Sequence, residues 1–356
     1  MKISLAMIVK NEEKNIGRCL NSVRNIVDEI VVVDTGSQDN TIKVLKSMND
    51  IKLFEIKWPD DFSKARNYSI EQTTGDYILV LDADEYMVSG TRSELEKMIK
   101  QNSIGRILLR NYFKKNNEVH ESQIYISRFF PRDVRYVGAI HEQLNSDKHP
   151  RVDMDFIVKH DGYFETNKGE RNIPLLIIQL KKNPNDPYYL YQLGKELRIN
   201  NQFLQSINFL KKSYKLVNTN ASYYHDLVLE LINCGKELGD KDIFEVIKQN
   251  EMKLKRVTDF HFAKGMFFMD YCLKNLHSAN SLIMEIEKSF LTCLTLAQEE
   301  FIEYVKGTSS FLASYNLGVY YEVTGNMKKA FHYYENSSLE GYNQALKRLE
   351  LLNSGV

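Results

Sequence analysis

Three short runs rich in Ile, Val and Leu lead the chain, at residues 3–9, 29–33 and 77–81, and each stops abruptly at polar residues. Apolar, β-branched runs bounded by turn residues read as buried strands. The first is followed by Ile16, Leu20, Val23 and Val27 at helical spacing, the second by Ile42, Val44, Leu45 and Met48. This predicts an α/β sheet. Gly36 permits a tight turn after the second strand, with Ser37 or Asp39 able to cap the helix that follows. Further short β segments are expected at 107–112, 124–130, 135–137 and 154–160, after which the pattern turns helical near Thr166. At 356 residues the chain exceeds one ordinary domain, and the expected division is 1–165 and 166–356.

The helical half repeats itself. Asn183-Pro184-Asn185-Asp186-Pro187 opens a segment whose Leu193-Gly194 frame recurs at Leu317-Gly318, so that Gly194 matches Gly318, Ser206 matches Ala330 and Leu210 matches Tyr334. Small residues where two helices touch and large ones where they interlock describe a tetratricopeptide-like helix pair. Between the two copies, about 221–308, helical spacing continues without a readable consensus. The aromatic stripe Phe262, Phe267, Phe268 and Tyr271 is expected to be core, with a peptide-binding groove as the alternative.

Candidate chemistry collects at the strand ends. The third run continues into Asp82-Ala83-Asp84-Glu85, three carboxylates in four residues. Ligands of open parallel sheets bind beyond the carboxyl ends of the strands, where an Asp-x-Asp reaches a divalent cation with one carboxylate and a ribose hydroxyl or the same metal with the other. A lone Asp-x-Asp is more often a solvated turn. Here it comes in order with Met7-Ile8-Val9-Lys10-Asn11-Glu12, Val33-Asp34-Thr35-Gly36-Ser37 and Asp61-Phe62-Ser63-Lys64-Ala65-Arg66-Asn67.

On these four motifs the first half resembles the nucleotide-sugar-binding domain of a family 2 glycosyltransferase with the GT-A fold. A dinucleotide-binding Gly-x-Gly-x-x-Gly loop is absent after the first strand. The resemblance implies that Val9, Asn11, Glu12, Asp34, Ser37, Arg66, Asp82 and Ala83 line the donor site, with Asp34 accepting from the base. It implies Mg²⁺ or Mn²⁺ on Asp84 and Asp82, with His160 as a further ligand. Family 2 enzymes invert the anomeric centre, so one base must take the acceptor proton. Glu142 leads that assignment, with His141 and Asp161 as rivals. Together with the helical repeats, the pattern is similar to bacterial peptide glycosyltransferases of the sublancin (glycocin) type, which attach sugar to cysteine.

Composition narrows the partners. The chain has 47 basic and 47 acidic residues and no basic block of nucleic-acid type, so no nucleic acid is expected. No apolar run is long enough to span a bilayer, and Met1-Lys2-Ile3-Ser4 leads into a strand rather than a signal peptide, so a cytoplasmic protein is expected. Cys19, Cys234, Cys272 and Cys293 lack metal-ligand spacing and are expected to be reduced thiols. The expected activity is transfer of a sugar from a nucleoside diphosphate, UDP first among them, to a Cys, Ser or Thr of a peptide, with Cys ahead. The helices would hold the acceptor, or join two chains in a homodimer. The alternatives are a polysaccharide- or lipopolysaccharide-type transferase and a non-catalytic interaction protein.

Overall fold

The computed structural model describes residues 1–115, 118–160, 169–275, 282–298 and 302–354. The chain divides into two compact units, Met1–Lys168 and Gly169–Val356.

The first unit is built on an eight-stranded mixed sheet. Strands β1 (Ile3–Val9), β2 (Glu29–Asp34), β3 (Ile51–Glu55) and β4 (Tyr77–Val80) run parallel in the order β3-β2-β1-β4. The sheet continues through β7 (Glu118–Pro131), β6 (Ile104–Lys115), β10 (Arg151–His160) and β5 (Glu85–Ser89), with β7 antiparallel to both its neighbours and β10 parallel to β6. β1, β2 and β4 are buried along almost their whole length, which is why they read as continuous apolar runs rather than alternating ones. Helices α1 (Ile16–Val23), α2 (Thr41–Lys46), α3 (Phe62–Glu71) and α4 (Arg92–Lys100) complete the sheet domain with a small hairpin, β8 (Tyr136–Val137) and β9 (Gln143–Leu144).

Glu85 opens the edge strand β5 and is buried, its carboxylate turning back to accept the Asp82 N–H at 2.9 Å. Of the two caps expected for α2, it is Asp39 that takes the Thr41 N–H, at 2.9 Å. Ser37 instead accepts the Asn11 N–H.

The elements of the second unit are helices, from α5 (Gly169–Lys182) to α14 (Asn343–Asn353), with one isolated β-bridge, Val257 to Ile302, among its described residues. The matched repeats are α6 (Pro187–Ile199) with α7 (Phe203–Leu216), and α12 (Phe311–Val323) with α13 (Met327–Leu339). Asp186 caps α6 by accepting the Tyr188 and Tyr189 N–H groups, and Pro187 takes the first helical position, where its missing donor costs nothing. A Cβ on Gly194 would lie 2.6 Å from the Leu210 side chain, and one on Gly318 would lie 2.5 Å from the Tyr334 ring. The same frame places Ser213 Oγ on the Pro187 carbonyl at 2.6 Å and Ser337 Oγ on the Phe311 carbonyl at 2.8 Å. Both pairs are therefore locked by one contact set. Phe267, Phe268 and Tyr271, on α10 (Thr258–Lys274), are buried core, as are Cys234, Cys272 and Cys293. Among the described residues, no helix is long and apolar enough to cross a membrane.

Candidate active site

The site forms where parallel strands end. Register pairs Val9 with Asp34 across β1 and β2 and Ala6 with Val80 across β1 and β4, so Asn11, Asp34 and the Asp82–Glu85 turn emerge along one edge of the sheet. Asn11 adopts φ 57°, and this left-handed turn lets its side chain accept the Gln38 N–H at 2.7 Å while its own N–H meets Ser37 Oγ. Glu12 donates its N–H to Thr41 Oγ1. The two loops are thus laced together, and Val9 contributes its carbonyl to Thr35.

Asp34 is almost fully buried. Its Oδ1 accepts the Gly36 and Ser37 N–H groups, both at 2.8 Å, whereas Oδ2 is buried without a protein donor. Buried carboxylate oxygens without donors are costly, so this one is a candidate for a ligand N–H.

Asp82 and Asp84 part company. Asp82 Oδ1 accepts from Arg66 Nη2 and Oδ2 from Arg128 Nη2, each at 2.8 Å. Arg128 Nη2 also reaches Glu85 Oε1 at 3.0 Å. Burial opposes ionisation of Asp82, but Arg128 and Arg66 outweigh it and hold the carboxyl well below the usual range. Burial pushes Glu85 up, with Arg128 pulling the other way and the nearby Asp82 charge adding to the rise. Ala83 is buried between the two aspartates. Asp84 instead points to His160 at the end of β10, with Oδ2 3.0 Å from Nε2, and His160 Nδ1 lies 2.8 Å from Asn111 Oδ1. Among the described residues, no group of three or more His, Cys, Asp or Glu is arranged to hold a metal on its own.

Arg66 is no surface residue. Only 8 % of its side chain is exposed, and Nε donates to Glu142 Oε1 at 2.5 Å while Nη1 is buried without a partner. Its neighbour Asn67 clamps the hairpin, donating Nδ2 to the Tyr136 carbonyl and accepting the Tyr136 N–H, both at 2.9 Å. The Phe62 N–H reaches the Ala139 carbonyl at 2.8 Å. The loop bearing His141 and Glu142 is therefore fixed to α3. His141 has φ 50°, in the left-handed region. Asp161 lies outside the described residues. Arg128 escaped the sequence reading, although a lone cation between Ile126 and Phe129 on a strand facing the acidic turn was a usable signal.

Residues 4–146 match the family Glycosyl transferase family 2. The chain is similar to the SPbeta prophage-derived glycosyltransferase SunS of Bacillus subtilis, 27 % identical over 98 % of this chain and 87 % of that one. It is also similar to a TPR repeat-containing protein of Synechococcus elongatus, 30 % identical over 68 % of this chain and 63 % of that one. With the mixed sheet, the rim motifs and the interlocked helix pairs, these likenesses give the chain an α/β domain of the GT-A fold, matched to Glycosyl transferase family 2 over residues 4–146, followed by tetratricopeptide-like helices.

Proposed function

We propose that this protein is a metal-dependent, inverting transferase that moves a sugar from a uridine diphosphate to a side chain of a peptide or protein, cysteine first and serine or threonine second. The observation that carries the reading is the pairing of Asp84 with His160. His160 Nε2 lies 3.0 Å from Asp84 Oδ2, and its Nδ1 lies 2.8 Å from Asn111 Oδ1. In the tautomer with the proton on Nδ1, Nε2 presents a lone pair beside the carboxylate, and the two together can bind a cation. A carboxylate and an imidazole suit Mn²⁺ or Mg²⁺ when diphosphate oxygens complete the shell. Bound there, the ion would neutralise charge on the departing diphosphate.

The other residues take roles that follow from their contacts. Asp34 Oδ2 accepts the N–H of the base, and the laced loops around Asn11, Glu12 and Ser37 shape the walls of that pocket. Arg66 Nη1 donates to the diphosphate or the sugar. Glu142 takes the acceptor proton on Oε2, since Oε1 is occupied by Arg66. The boundary between catalytic and acceptor-binding functions lies near residues 165–168, and the helical repeats hold an extended peptide as stacked helix pairs do. Homodimerisation belongs to the same unit, and the cytoplasm is the compartment in which a nucleotide-sugar donor and reduced thiols fit.

The test is to incubate the protein with Mn²⁺, a panel of nucleotide sugars and cysteine- or serine-bearing peptides, and to weigh the products. A peptide gaining one hexose or N-acetylhexosamine mass is expected. Modification of a saccharide or lipid in place of every peptide would overturn the acceptor assignment and leave the transferase standing.

A further inference from the structure

Five buried or half-buried side chains of alternating charge form one chain across the site: Glu85, Arg128, Asp82, Arg66 and Glu142, linked by contacts of 2.5–3.0 Å. The division of labour on Asp82 is specific. An arginine and a carboxylate isolated from other partners prefer two parallel hydrogen bonds, and a side-on pair would use both Nε and Nη2 of Arg66. Nε is the group that holds Glu142. Arg128 Nη2 donates to Asp82 Oδ2 and Arg66 Nη2 reaches Oδ1 alone, so the Arg66–Asp82 contact is single.

We infer that Arg128 is a positioning residue for the transfer reaction: by keeping Asp82 from forming the two-point pair with Arg66, it reserves Arg66 Nε for Glu142 and so fixes the carboxylate that takes the acceptor proton. This inference rests on the role given to Glu142 above. Three observations support a chain held this tightly. Burial disfavours the charge on both arginines, but the facing carboxylates, Asp82 foremost, outweigh it and hold both as permanent cations. Tyr136, whose ring lies 5.7 Å from the Arg66 guanidinium, walls the cluster from solvent and has its phenol pushed up by burial. Asn67 holds Tyr136 in place.

The experiment compares wild type with Arg128→Met, and with Arg128→Met/Glu85→Gln, which removes the buried carboxylate that the first change leaves without its cation. Each is made alone and in a Glu142→Ala background. Misplacing the base should lower kcat by about 100-fold, whereas KM for the nucleotide sugar should stay within about twofold because donor contacts persist. In the Glu142→Ala background the same change should cost almost nothing further, since the group being positioned is gone. The Arg66 Nε–H resonance, read by nuclear magnetic resonance, should shift when Arg128 is lost. Equal fractional losses of kcat in both backgrounds, or an unchanged Arg66 resonance, would overturn the inference. If wild type transferred no sugar from any nucleotide, the functional reading would fall, and the Arg66 resonance would still decide the role of Arg128.

Discussion

His160 Nε2 and Asp84 Oδ2 stand 3.0 Å apart at the ends of two elements that are distant in sequence, with His160 fixed from behind by Asn111. If this pair holds the cation, Asp84→Ala should lower transfer by about 100-fold or more while circular dichroism and the melting temperature stay near wild type. Excess chelator should reproduce the loss. His160→Ala should weaken Mn²⁺ binding, measured by calorimetry in the presence of UDP, by about tenfold. Full activity in chelator would rule out the cation.

Asp34 allows a cleaner substitution than alanine. Asp34→Asn can keep an oxygen on the Gly36 and Ser37 N–H groups and replaces the acceptor at Oδ2 with a donor. UDP binding should weaken by about 1–3 kcal/mol, the cost of an unmet buried polar group. Binding of a peptide alone should be unchanged in the same titration. An unaltered UDP affinity would leave Asp34 as a turn residue only.

Glu29 lies at the opposite end of β2 from Asp34 and is also buried. Burial alone would raise its pKa, but hydrogen bonds from Lys52, Ser4 and Thr74 outweigh it and lower the carboxyl to about 2. A depressed folded-state pKa contributes stability above the ordinary value near 4.5, and that stability is lost as pH falls towards 2. Urea midpoints for wild type should therefore drop between about pH 5 and about pH 2.5, and Glu29→Gln should flatten that slope. A parallel fall in both proteins would place the acid sensitivity elsewhere.

The repeat glycines yield a contrast. Gly194→Ala and Gly318→Ala should each cost about 1–3 kcal/mol, because the new methyl group meets Leu210 or Tyr334. Leu210→Ala should recover part of the first loss. Gly17, on α1 with open space for 4 Å around the place a methyl group would take, should gain about 0.5–1 kcal/mol as alanine. Thermal or urea unfolding of the three glycine-to-alanine variants and of Gly194→Ala/Leu210→Ala decides it.

These contrasts mark what the residue pattern could convey. Strands β1, β2 and β4 were legible because burial on both faces writes itself as unbroken Ile, Val and Leu, and the repeats because close helix contact admits only small residues at Gly194 and Gly318. Strand β5 was hidden: Glu85-Tyr86-Met87-Val88-Ser89 begins with a buried acid whose stability depends on Arg128, a partner 43 positions away. Arg66 was ambiguous for the same reason. A helix position carries no sign of whether its cation meets water or two carboxylates brought in from Asp82 and Glu142.

The clamp from α3 to the hairpin has a mechanical consequence. Asn67 grips Tyr136 by both backbone groups and Phe62 holds Ala139, so Glu142 travels with the helix that carries Arg66. Lifting that loop by itself would break three hydrogen bonds and a buried ion pair at once. If Glu142 is the base, it is already aimed before an acceptor arrives, and that acceptor must fit a fixed target rather than mould one.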